Sequence, residues 1–460
     1  MKRLNLAIAI SMTLLTACND ENMTSQSVNP TPTHVRVGAY NLSFDRATFD
    51  ELVMQMQISA PEQEQLMQRW FDKTLTDKEI KLTEKIIQIR NVAAIIQSER
   101  PAVLMMSEFN NDGSAENQDA LTGFRVNYLS VPQNALGTTS NKKLMLQPIQ
   151  FDYAQNFATN TGLLSEFDLD KNGEITLPGD AWGFGFYHGQ YAFALLSQYP
   201  IDTDNIRTFQ HFKWQDMPGE TNPTIIHCND ENNPIPAGMQ CGDNWYSAKA
   251  WAEKPLSSKN HIDAPILIPT ENGEKVIHLL LSHPTPPVFD TVTENNKRLN
   301  RAEIAFWNDY LANADYIYDD AGKKGGLNLD DSFIIMGDLN ADPNNGDGFL
   351  DAIQGLIKNK RVNTLATEGI YTPSSLGAAE CIALGDCADN TYPERITSTF
   401  GLRVDHVIPS NDLNIIDSGV FWPASFEQGH LLMNDKRVGQ YGSGKDISSD
   451  HRLVWIEAKL

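Results

Sequence analysis

Beyond its first residues, the 460-residue sequence lacks any apolar stretch long enough to span a bilayer, for which a helix needs roughly 20 consecutive residues. This absence excludes a transmembrane helix from the body of the chain. Hydrophobic residues make up 41% of the sequence and charged residues 21%, which are ordinary proportions for a globular protein. The chain therefore has enough apolar mass to build a large core.

Basic residues are also scarce. The 36 lysines and arginines are outnumbered by 59 aspartates and glutamates, so the formal net charge is −23. A surface of this charge repels polyanions at long range, which argues against tight non-specific binding of nucleic acid. A nuclease is not excluded, because a bound cation can supply positive charge locally. For most of the charge, solubility is the simpler explanation.

Cysteine is rare, with five residues in the whole chain. Four of them lie close together in sequence as two pairs, and we predict the disulfides Cys228–Cys241 and Cys381–Cys387. A zinc site is the alternative for these four residues. The sequence has no Cys-x-x-Cys pair, and the export signal described next indicates an oxidising compartment, so disulfides are favoured.

The N-terminus has the pattern of a processing signal. A basic start at Lys2 and Arg3 precedes the apolar run 4–15, and Leu-Thr-Ala then leads directly to Cys18. The pattern resembles a bacterial lipoprotein signal, so we expect residues 1–17 to be removed and Cys18 to be acylated. An ordinary signal peptide followed by a coincidental cysteine is the alternative. The polar segment 18–33 then serves as a tether, and the mature chain, without Lys2 and Arg3, has a net charge of −25 rather than −23.

Short aliphatic and β-branched runs recur along the rest of the chain and predict β-strands. The predicted strands are Val35–Tyr40, Val103–Met106, Ala192–Leu196, Val276–Leu281, Phe333–Met336, Val404–Ile408 and Leu453–Ile456.

Helices are predicted between some of these strands. The segment Asp77–Ser98 has a mostly apolar face at helical spacing, and a second helix is expected at Arg298–Ala312. The alternation of strands and helices predicts one layered α/β or α+β domain over residues 34–460. We expect three polar segments to be loop-rich elaborations of that domain: residues 44–76, 110–189 and 202–272.

Polar residues stand at or next to the ends of most of these strands. They are Asn41, Glu108, His283, Asp338, Asn340, Asp405, His406, Asp450 and His451. Carboxylates can hold magnesium, calcium or manganese, and amide groups can donate hydrogen bonds to phosphoryl oxygens. A histidine beside a carboxylate can take a proton from water. Taken singly these signals are weak, because an aspartate at a strand end is often a turn residue.

The chain resembles the endonuclease/exonuclease/phosphatase superfamily in the order of six segments: AYNLSF, VLMMSEFN, LLLSHPTPP, IIMGDLNADP, LRVDHVIPS and SSDHRLVW. These segments extend over nearly the whole mature chain, and GDLNADP followed by a C-terminal SDH is the most specific part of the match. The resemblance implies a four-layer α/β sandwich. Two mixed sheets pack face to face, helices cover the outer faces, and the active site lies at one edge.

The resemblance also implies a metal site. Glu108 matches the principal metal-binding glutamate, Asp450 matches a metal-associated aspartate, and Asn41 matches an amide near the metal and the phosphate. The chain has Ser43 two residues after Asn41, where apurinic endonucleases carry an acid, which weakens the case for a second metal there.

Catalytic roles follow from the same resemblance. His451 matches the histidine that activates water or stabilises the phosphoryl transition state, and Asp405 matches its orienting carboxylate. Asp338 and Asn340 match the pair that positions the nucleophile and the phosphate. His283 matches a second histidine, a phosphate ligand or general acid, in the deoxyribonuclease and sphingomyelinase branches. We interpret His406, by contrast, as structural.

Three features lie outside the resemblance. Asp168, Asp170 and Asn172 begin a calcium-loop pattern, but its twelfth position is Gly179, with Asp180 one residue later, so a polar turn is the alternative. Lys259 and His261 are candidate phosphate contacts, although most surface cations merely solvate a face. The segment Trp182–Gln190 is rich in glycine and aromatic residues and could line a substrate cleft or pack beneath a loop.

The sequence therefore predicts an exported hydrolase of phosphate esters that uses a divalent cation, with magnesium favoured over manganese or calcium. Nucleic acid, a phospholipid headgroup and a small organophosphate remain open as substrates, and a sphingomyelinase-like or phospholipase-C-like enzyme is one alternative. A catalytically silent binding lipoprotein on the same fold is the other. We expect lipid anchoring in the bacterial cell envelope, and the sequence indicates no obligate protein partner.

Overall fold

The computed structural model describes residues 32–438 and 444–460. The predicted signal peptide, the acylation site Cys18 and most of the tether lie outside this part of the chain and stay predictions. Within the described residues, no helix is both long enough and apolar enough to cross a membrane. Residues Pro32–Leu460 form one compact unit.

Eleven strands are found among the described residues. They are β1 (His34–Phe44), β2 (Val103–Phe109), β3 (Tyr153–Asn156), β4 (Phe193–Ser197), β5 (Arg207–Thr208), β6 (His261–Thr270), β7 (Gly273–Ser282), β8 (Phe333–Asp338), β9 (Asp405–Pro409), β10 (Asn414–Val420) and β11 (Val454–Lys459). All seven strands predicted from the sequence are present.

The α-helices of the described chain are α1 (Phe49–Met56), α2 (Ala60–Phe71), α3 (Asp77–Glu99), α4 (Asp119–Phe124), α5 (Ala248–Glu253), α6 (Asn295–Leu311), α7 (Leu350–Ile357), α8 (Thr364–Thr367) and α9 (Leu376–Ala383). Short 3-10 helices lie at Thr203–Asn205, Trp214–Asp216, Pro393–Arg395, His430–Leu432 and Gly444–Asp446, and a π-helical turn lies at Arg125–Leu129. The two predicted helices are confirmed as α3 and α6.

The strands form two mixed sheets. The first has the order β10-β11-β1-β2-β4-β3, and the second has the order β5-β6-β7-β8-β9. In the first sheet β1 is parallel to β2 and antiparallel to β11. In the second, β7 is parallel to β8, which is antiparallel to β9. The carboxyl ends of the parallel pairs and the amino ends of β9 and β11 are therefore brought to the same edge.

Three hydrophobic cores define the layers. One lies between the sheets and includes Val37 of β1, Leu279 of β7 and Met336 of β8. The second packs the outer face of the first sheet against helices such as α3, and the third packs the outer face of the second sheet against α6 and α7. The order helix, sheet, sheet, helix is the predicted four-layer α/β sandwich, which is thereby confirmed.

All three segments expected to be loop-rich contain regular structure, and residues 110–189 hold α4 and β3. Residues 44–76 hold α1 and α2, which begin at the cap residues Thr48 and Ser59. Residues 202–272 hold the ten-residue strand β6. This strand was not predicted because it contains Pro265 and Pro269, and proline is rare in strands that pair on both sides. The second sheet accommodates these prolines because β5, the neighbour of β6, pairs with only two of its residues.

Candidate functional site

The predicted polar residues meet where strand ends from both sheets converge. Asn41 and Glu108 lie near the carboxyl ends of β1 and β2, and Asp338 ends β8. The Nδ2 group of Asn41 donates hydrogen bonds to Glu108 Oε1 at 3.2 Å and to Asp338 Oδ2 at 3.1 Å. One amide therefore links a carboxylate of the first sheet to a carboxylate of the second. Its own oxygen accepts from the backbone N–H of Ser43, so its nitrogen faces the predicted metal ligands.

Asp405 and His451 form a buried dyad beside this bridge. The imidazole Nδ1 lies 2.9 Å from Asp405 Oδ2, which also accepts a hydrogen bond from the hydroxyl of Thr397 at 2.8 Å. The other ring nitrogen, Nε2, faces Asp338 Oδ2 at 3.7 Å. The aspartates are 1–2% exposed and the histidine 6%, so the ring is fixed between two carboxylates and largely shielded from water.

His283 and Asn340 complete the second-sheet side of the site. His283 Nε2 lies 3.5 Å from Asp338 Oδ2, and among the described residues its Nδ1 has no hydrogen-bond partner. The backbone N–H of Asn340 donates to Asp338 Oδ1 at 2.9 Å, while its side-chain Nδ2 donates to the carbonyl of Pro284 at 3.1 Å. Asp338 is thus the central residue of the site, since it contacts Asn41, His283 and His451 from three other segments of the chain.

Asp450 is held by serines that the sequence did not mark as functional. The hydroxyl of Ser43 donates to Asp450 Oδ1 at 2.5 Å. The hydroxyl of Ser449 lies 2.8 Å from that of Ser43 and donates to the carbonyl of Asn41 at 2.6 Å. The segment that precedes β11 is therefore tied to the end of β1, which keeps Asp450 and His451 beside the residues of the first sheet.

Burial and charge set the protonation of these groups. Burial, together with the neighbouring Asp45 and Asp450, raises the pKa of Glu108 to about 7. Burial alone would lower the pKa of His451, but the nearby Asp405 and Asp338 raise it well above its usual value. Without a bound cation, His451 is therefore protonated at neutral pH and can donate a hydrogen bond.

The other two central groups shift in the opposite direction. Burial opposes ionisation of Asp338, but His451 and the hydrogen bond from His283 hold its pKa below the usual range. Burial and the nearby Lys259 lower the pKa of His283 to about 4, so this imidazole is neutral at pH 7. The site thus holds one charged and one neutral imidazole on either side of a carboxylate.

The donor set fits a hard divalent cation. The carboxylates of Asp45 and Asp450 raise the pKa of Glu108, and Asp450 also raises that of Asp45, a repulsion that a cation between these groups would relieve. Asp338, Asp405 and His451 also offer one ligand atom each within 4.8 Å of one another. Oxygen donors dominate both groups, as magnesium, manganese and calcium prefer.

The two candidate phosphate contacts differ in position. Lys259 is 6% exposed, and its Nζ lies 3.5 Å from the carbonyl of Pro284, which Asn340 also contacts. It lies near the site, as its charge effect on His283 indicates. His261 instead starts β6, packs against Phe306 and Trp307, and has its Nε2 2.9 Å from the backbone carbonyl of Glu303.

The prediction of a phosphate contact is therefore corrected for His261, which is 1% exposed in an aromatic cluster. Its polar appearance in the sequence was misleading because a backbone carbonyl satisfies the ring nitrogen inside the core. His406 is similarly buried, with Nε2 2.9 Å from the carbonyl of Ala341, in agreement with its interpretation as structural.

The calcium-loop pattern folds into an acidic turn. Oxygens of Asp168, Asp170 and Asp180 lie within 4.8 Å of one another, so the displaced acid Asp180 joins the two aspartates of the pattern. The amide oxygen of Asn172 accepts from Glu174 N, and both oxygens of Asp180 accept backbone N–H groups. Calcium binding by this turn stays a prediction.

Several residues at the site were not found from the sequence. Asp45 follows β1 and raises the pKa of Glu108. The hydroxyl of Thr397 donates a hydrogen bond to Asp405, and the ring of Phe400 contacts the ring of His451. Asp45 could have been noticed as one more acid after a predicted strand. Thr397 and Phe400 lie in a loop without periodicity, and only the tertiary fold brings them to the site.

Both predicted disulfides are present. Cys228 pairs with Cys241 and Cys381 with Cys387, with Cα–Cα distances of 5.6 and 5.3 Å. Each bond closes a short segment, as expected from the spacing, and Cys381 and Cys387 are themselves buried.

Comparison with known proteins gives matches of fold and of family. Solved structures similar to this chain include an endonuclease/exonuclease/phosphatase from Beutenbergia cavernae (11% identity, 93% of this chain and 72% of that chain covered, TM-score 0.42). They also include the human Nocturnin catalytic domain with bound sulfate (12%, 94% and 95%, 0.36) and a Staphylococcus aureus beta toxin mutant with bound magnesium ions (11%, 93% and 99%, 0.33).

No curated protein matches this chain. The model of the Endonuclease/Exonuclease/phosphatase family, in contrast, matches residues 85–451, which is most of the sequence and includes the candidate site from Glu108 to His451. The chain therefore belongs to the endonuclease/exonuclease/phosphatase family.

Proposed function

We propose that this protein is a divalent-cation-dependent hydrolase of phosphate esters. The observation that carries the proposal is the single cluster formed by Glu108, Asn41, Asp338, His451 and Asp405, drawn from strand ends of both sheets. Hydrolysis at phosphorus needs a site for a cation, a group that handles protons and donors for the phosphoryl oxygens. Membership of the family, whose members are generally phosphoesterases, supports the same reaction class.

Glu108 and Asp450 are the proposed principal ligands of the cation, and Asp45 lies near enough to assist. When bound, the cation neutralises phosphate charge and lowers the pKa of water in its coordination sphere. Asn41 holds Glu108 and Asp338 at a fixed separation through its two hydrogen bonds. Magnesium is the favoured ion, and manganese and calcium suit the same oxygen donors.

The Asp405–His451 dyad and Asp338 are proposed to make the hydrogen bonds to the phosphoryl group and to the attacking water. Asp405 fixes the orientation of the His451 ring through Nδ1, which leaves Nε2 directed at Asp338. In its charged form, His451 donates a hydrogen bond to a phosphoryl oxygen as negative charge develops there. Asp338 accepts a hydrogen bond from the attacking water and orients it.

The remaining residues bind the substrate's phosphate group. His283 is neutral and donates its single N–H to Asp338, so it lines the phosphate site without adding charge, and the side chain of Asn340 contacts the neighbouring Pro284. Lys259, whose Nζ lies 3.5 Å from the carbonyl of Pro284, supplies positive charge near these two groups in a protein that is otherwise strongly acidic. This charge offsets part of the repulsion between a phosphate ester and the acidic site.

The substrate is tested with a panel. Hydrolysis of bis-p-nitrophenyl phosphate, p-nitrophenyl phosphate, plasmid DNA and sphingomyelin is measured with magnesium and again with excess chelator. We expect chelator-sensitive activity on at least one member, and the pattern distinguishes a diesterase, a monoesterase, a nuclease and a sphingomyelinase. Activity that survives the chelator would contradict the proposal, and magnesium-dependent binding without turnover would favour a silent binding protein.

Export and lipid anchoring form a second part of the proposal. The basic and apolar pattern of residues 1–17 before Cys18 supports it, as do the two disulfides, which persist in oxidising compartments. Labelled palmitate should be incorporated into the wild-type chain expressed in a bacterium and not into Cys18→Ser. Incorporation into both chains, or into neither, would contradict acylation at this residue.

A further inference from the structure

Phe400 places an aromatic ring in direct contact with the candidate catalytic histidine. The ring centroids of Phe400 and His451 are 5.5 Å apart at an interplanar angle of 76°, an edge-to-face arrangement. The histidine is 6% exposed, whereas the phenylalanine is 44% exposed. The ring therefore contacts the imidazole, while the side chain as a whole remains accessible to solvent.

The loop that carries this ring is firmly held. The backbone N–H of Thr399 donates to the carbonyl of Asp450 at 2.8 Å, and Ser398 pairs with His451 in an isolated β-bridge. Gly401 follows in a left-handed conformation with a φ of 85°, and its carbonyl accepts a hydrogen bond from Asn390.

The neighbours of Phe400 before and after this turn are buried, with Ser398 at 0% and Arg403 at 7% exposure. The exposure of the phenylalanine is thus a feature of a fixed loop. Scattered exposed apolar residues are normal at a protein surface. This one differs because it lies in contact with the group proposed to bind the phosphoryl oxygens.

The organic group of a phosphate ester bound at His451 would lie close to the ring of Phe400. A phosphoryl oxygen that accepts a hydrogen bond from His451 lies about 3 Å from the imidazole. The organic group of a phosphate ester starts two bonds beyond the phosphorus, after the ester oxygen, which is within reach of a ring that already touches that imidazole. The other side chains around the site, such as Asp338, Asn340 and Glu108, are charged or polar.

We propose that the exposed side chain of Phe400 is a subsite for a planar aromatic group of the substrate, either an aryl ring or a nucleobase. This inference rests on the proposed function and deepens it, because it names a substrate class. An aromatic partner matches the ring in shape and adds a stacking interaction to the burial of apolar area. The strongly acidic surface also favours a small substrate over a long polyanion.

Non-hydrolysable ligands test the subsite without relying on turnover. Binding of phenylphosphonate, methylphosphonate and the phosphonate analogue of adenosine monophosphate to the full chain is measured by calorimetry with magnesium present. The phenyl and adenosine ligands distinguish an aryl ring near the phosphorus from a base carried by a ribose. The variants are Phe400→Leu, which keeps an apolar side chain, and Phe400→Tyr, which keeps the ring. Phe426→Leu makes the same change at another exposed phenylalanine, 78% exposed.

We expect at least one aromatic ligand to bind wild type about tenfold more tightly than methylphosphonate, a preference typical of one stacked ring. Phe400→Tyr and Phe426→Leu should keep this preference, and Phe400→Leu should lose it while still binding methylphosphonate as wild type does. A preference that survives in Phe400→Leu, or the lack of any preference in wild type, would overturn the inference. A protein that shows the expected binding but hydrolyses none of the substrate panel would contradict the proposed function and leave the subsite supported.

Discussion

Glu303 of α6 is a buried carboxylate whose removal should destabilise the protein strongly. It is 0% exposed, and its oxygens accept hydrogen bonds from the backbone N–H of Ser258 at 2.8 Å, from the hydroxyl of the same serine at 3.1 Å, and from the N–H of Thr285 at 2.6 Å. It is also the negative charge that acts most strongly on the pKa of Lys259. The Glu303 side chain therefore ties together two segments: one that contains Ser258 and Lys259, and one that contains His283 and Thr285.

The substitution Glu303→Gln sets an NH2 group against one of these N–H donors and removes the charge that compensates Lys259. The loss of one charged hydrogen bond and an unpaired buried donor together cost about 3 kcal/mol, near the lower end of the summed ranges for these two effects. Urea denaturation followed by circular dichroism measures the free energy of unfolding. The exposed Glu253→Gln on α5 is the matched control, with an expected change within about 0.5 kcal/mol.

A double variant separates the two contributions. Replacing Lys259 with methionine removes the cation that Glu303→Gln leaves uncompensated, so the double variant should be less destabilised than the sum of the two single variants, by about 1 kcal/mol. Additive losses would show that the two charges do not interact. A Glu303→Gln protein as stable as wild type would refute the reasoning altogether.

Three further outcomes are expected. Asp405→Asn should lower kcat about 100-fold or more without a matching loss of stability, because the dyad's imidazole loses its orienting charge; unchanged kcat would contradict this role. The pKa of His278 is raised, since the hydrogen bond to Asp263 outweighs burial. Its contribution of about 2 kcal/mol is thus complete below pH 6.5 and lost as the pH rises through the folded-state pKa. His278→Gln should lower the urea midpoint more at pH 6 than at pH 9, and an equal loss at both would refute this. Calorimetric titration with calcium should show one site fewer in the double variant Asp168→Ala, Asp170→Ala, and identical titrations would remove calcium binding from this turn.

The sequence predicted the site best where chemistry coincides with a strand end. Asn41, Glu108 and Asp338 follow apolar runs that had to be buried strands, and parallel strands bring their carboxyl ends to one edge. The seven strands and two helices predicted from apolar patterns are all present for the same reason. An apolar face that must be buried is visible in the sequence as a local pattern, so such strands and helices can be predicted without knowledge of the tertiary fold.

The features that were missed depend on tertiary contacts or on exceptions to local rules. Strand β6 was not predicted because two prolines interrupt it. The polar helix α2 has a capping box at Ser59 and Glu62 but buries few residues, Gln63 and Met67. His261 looked functional because a polar residue inside a core cannot be recognised until its partner carbonyl is known. Thr397 and Phe400 reach the site only because their loop pairs with the segment before β11.

Steady-state hydrolysis of bis-p-nitrophenyl phosphate by His451→Ala tests the central claim most directly. The substitution removes the imidazole that lies between Asp405 and Asp338. The matched control is His211→Ala, which removes an exposed imidazole. We predict magnesium-dependent hydrolysis by wild type and by the control, and a loss of at least about 100-fold in kcat for His451→Ala. Equal rates for the three proteins, or hydrolysis by wild type that excess chelator leaves unchanged, would contradict the account.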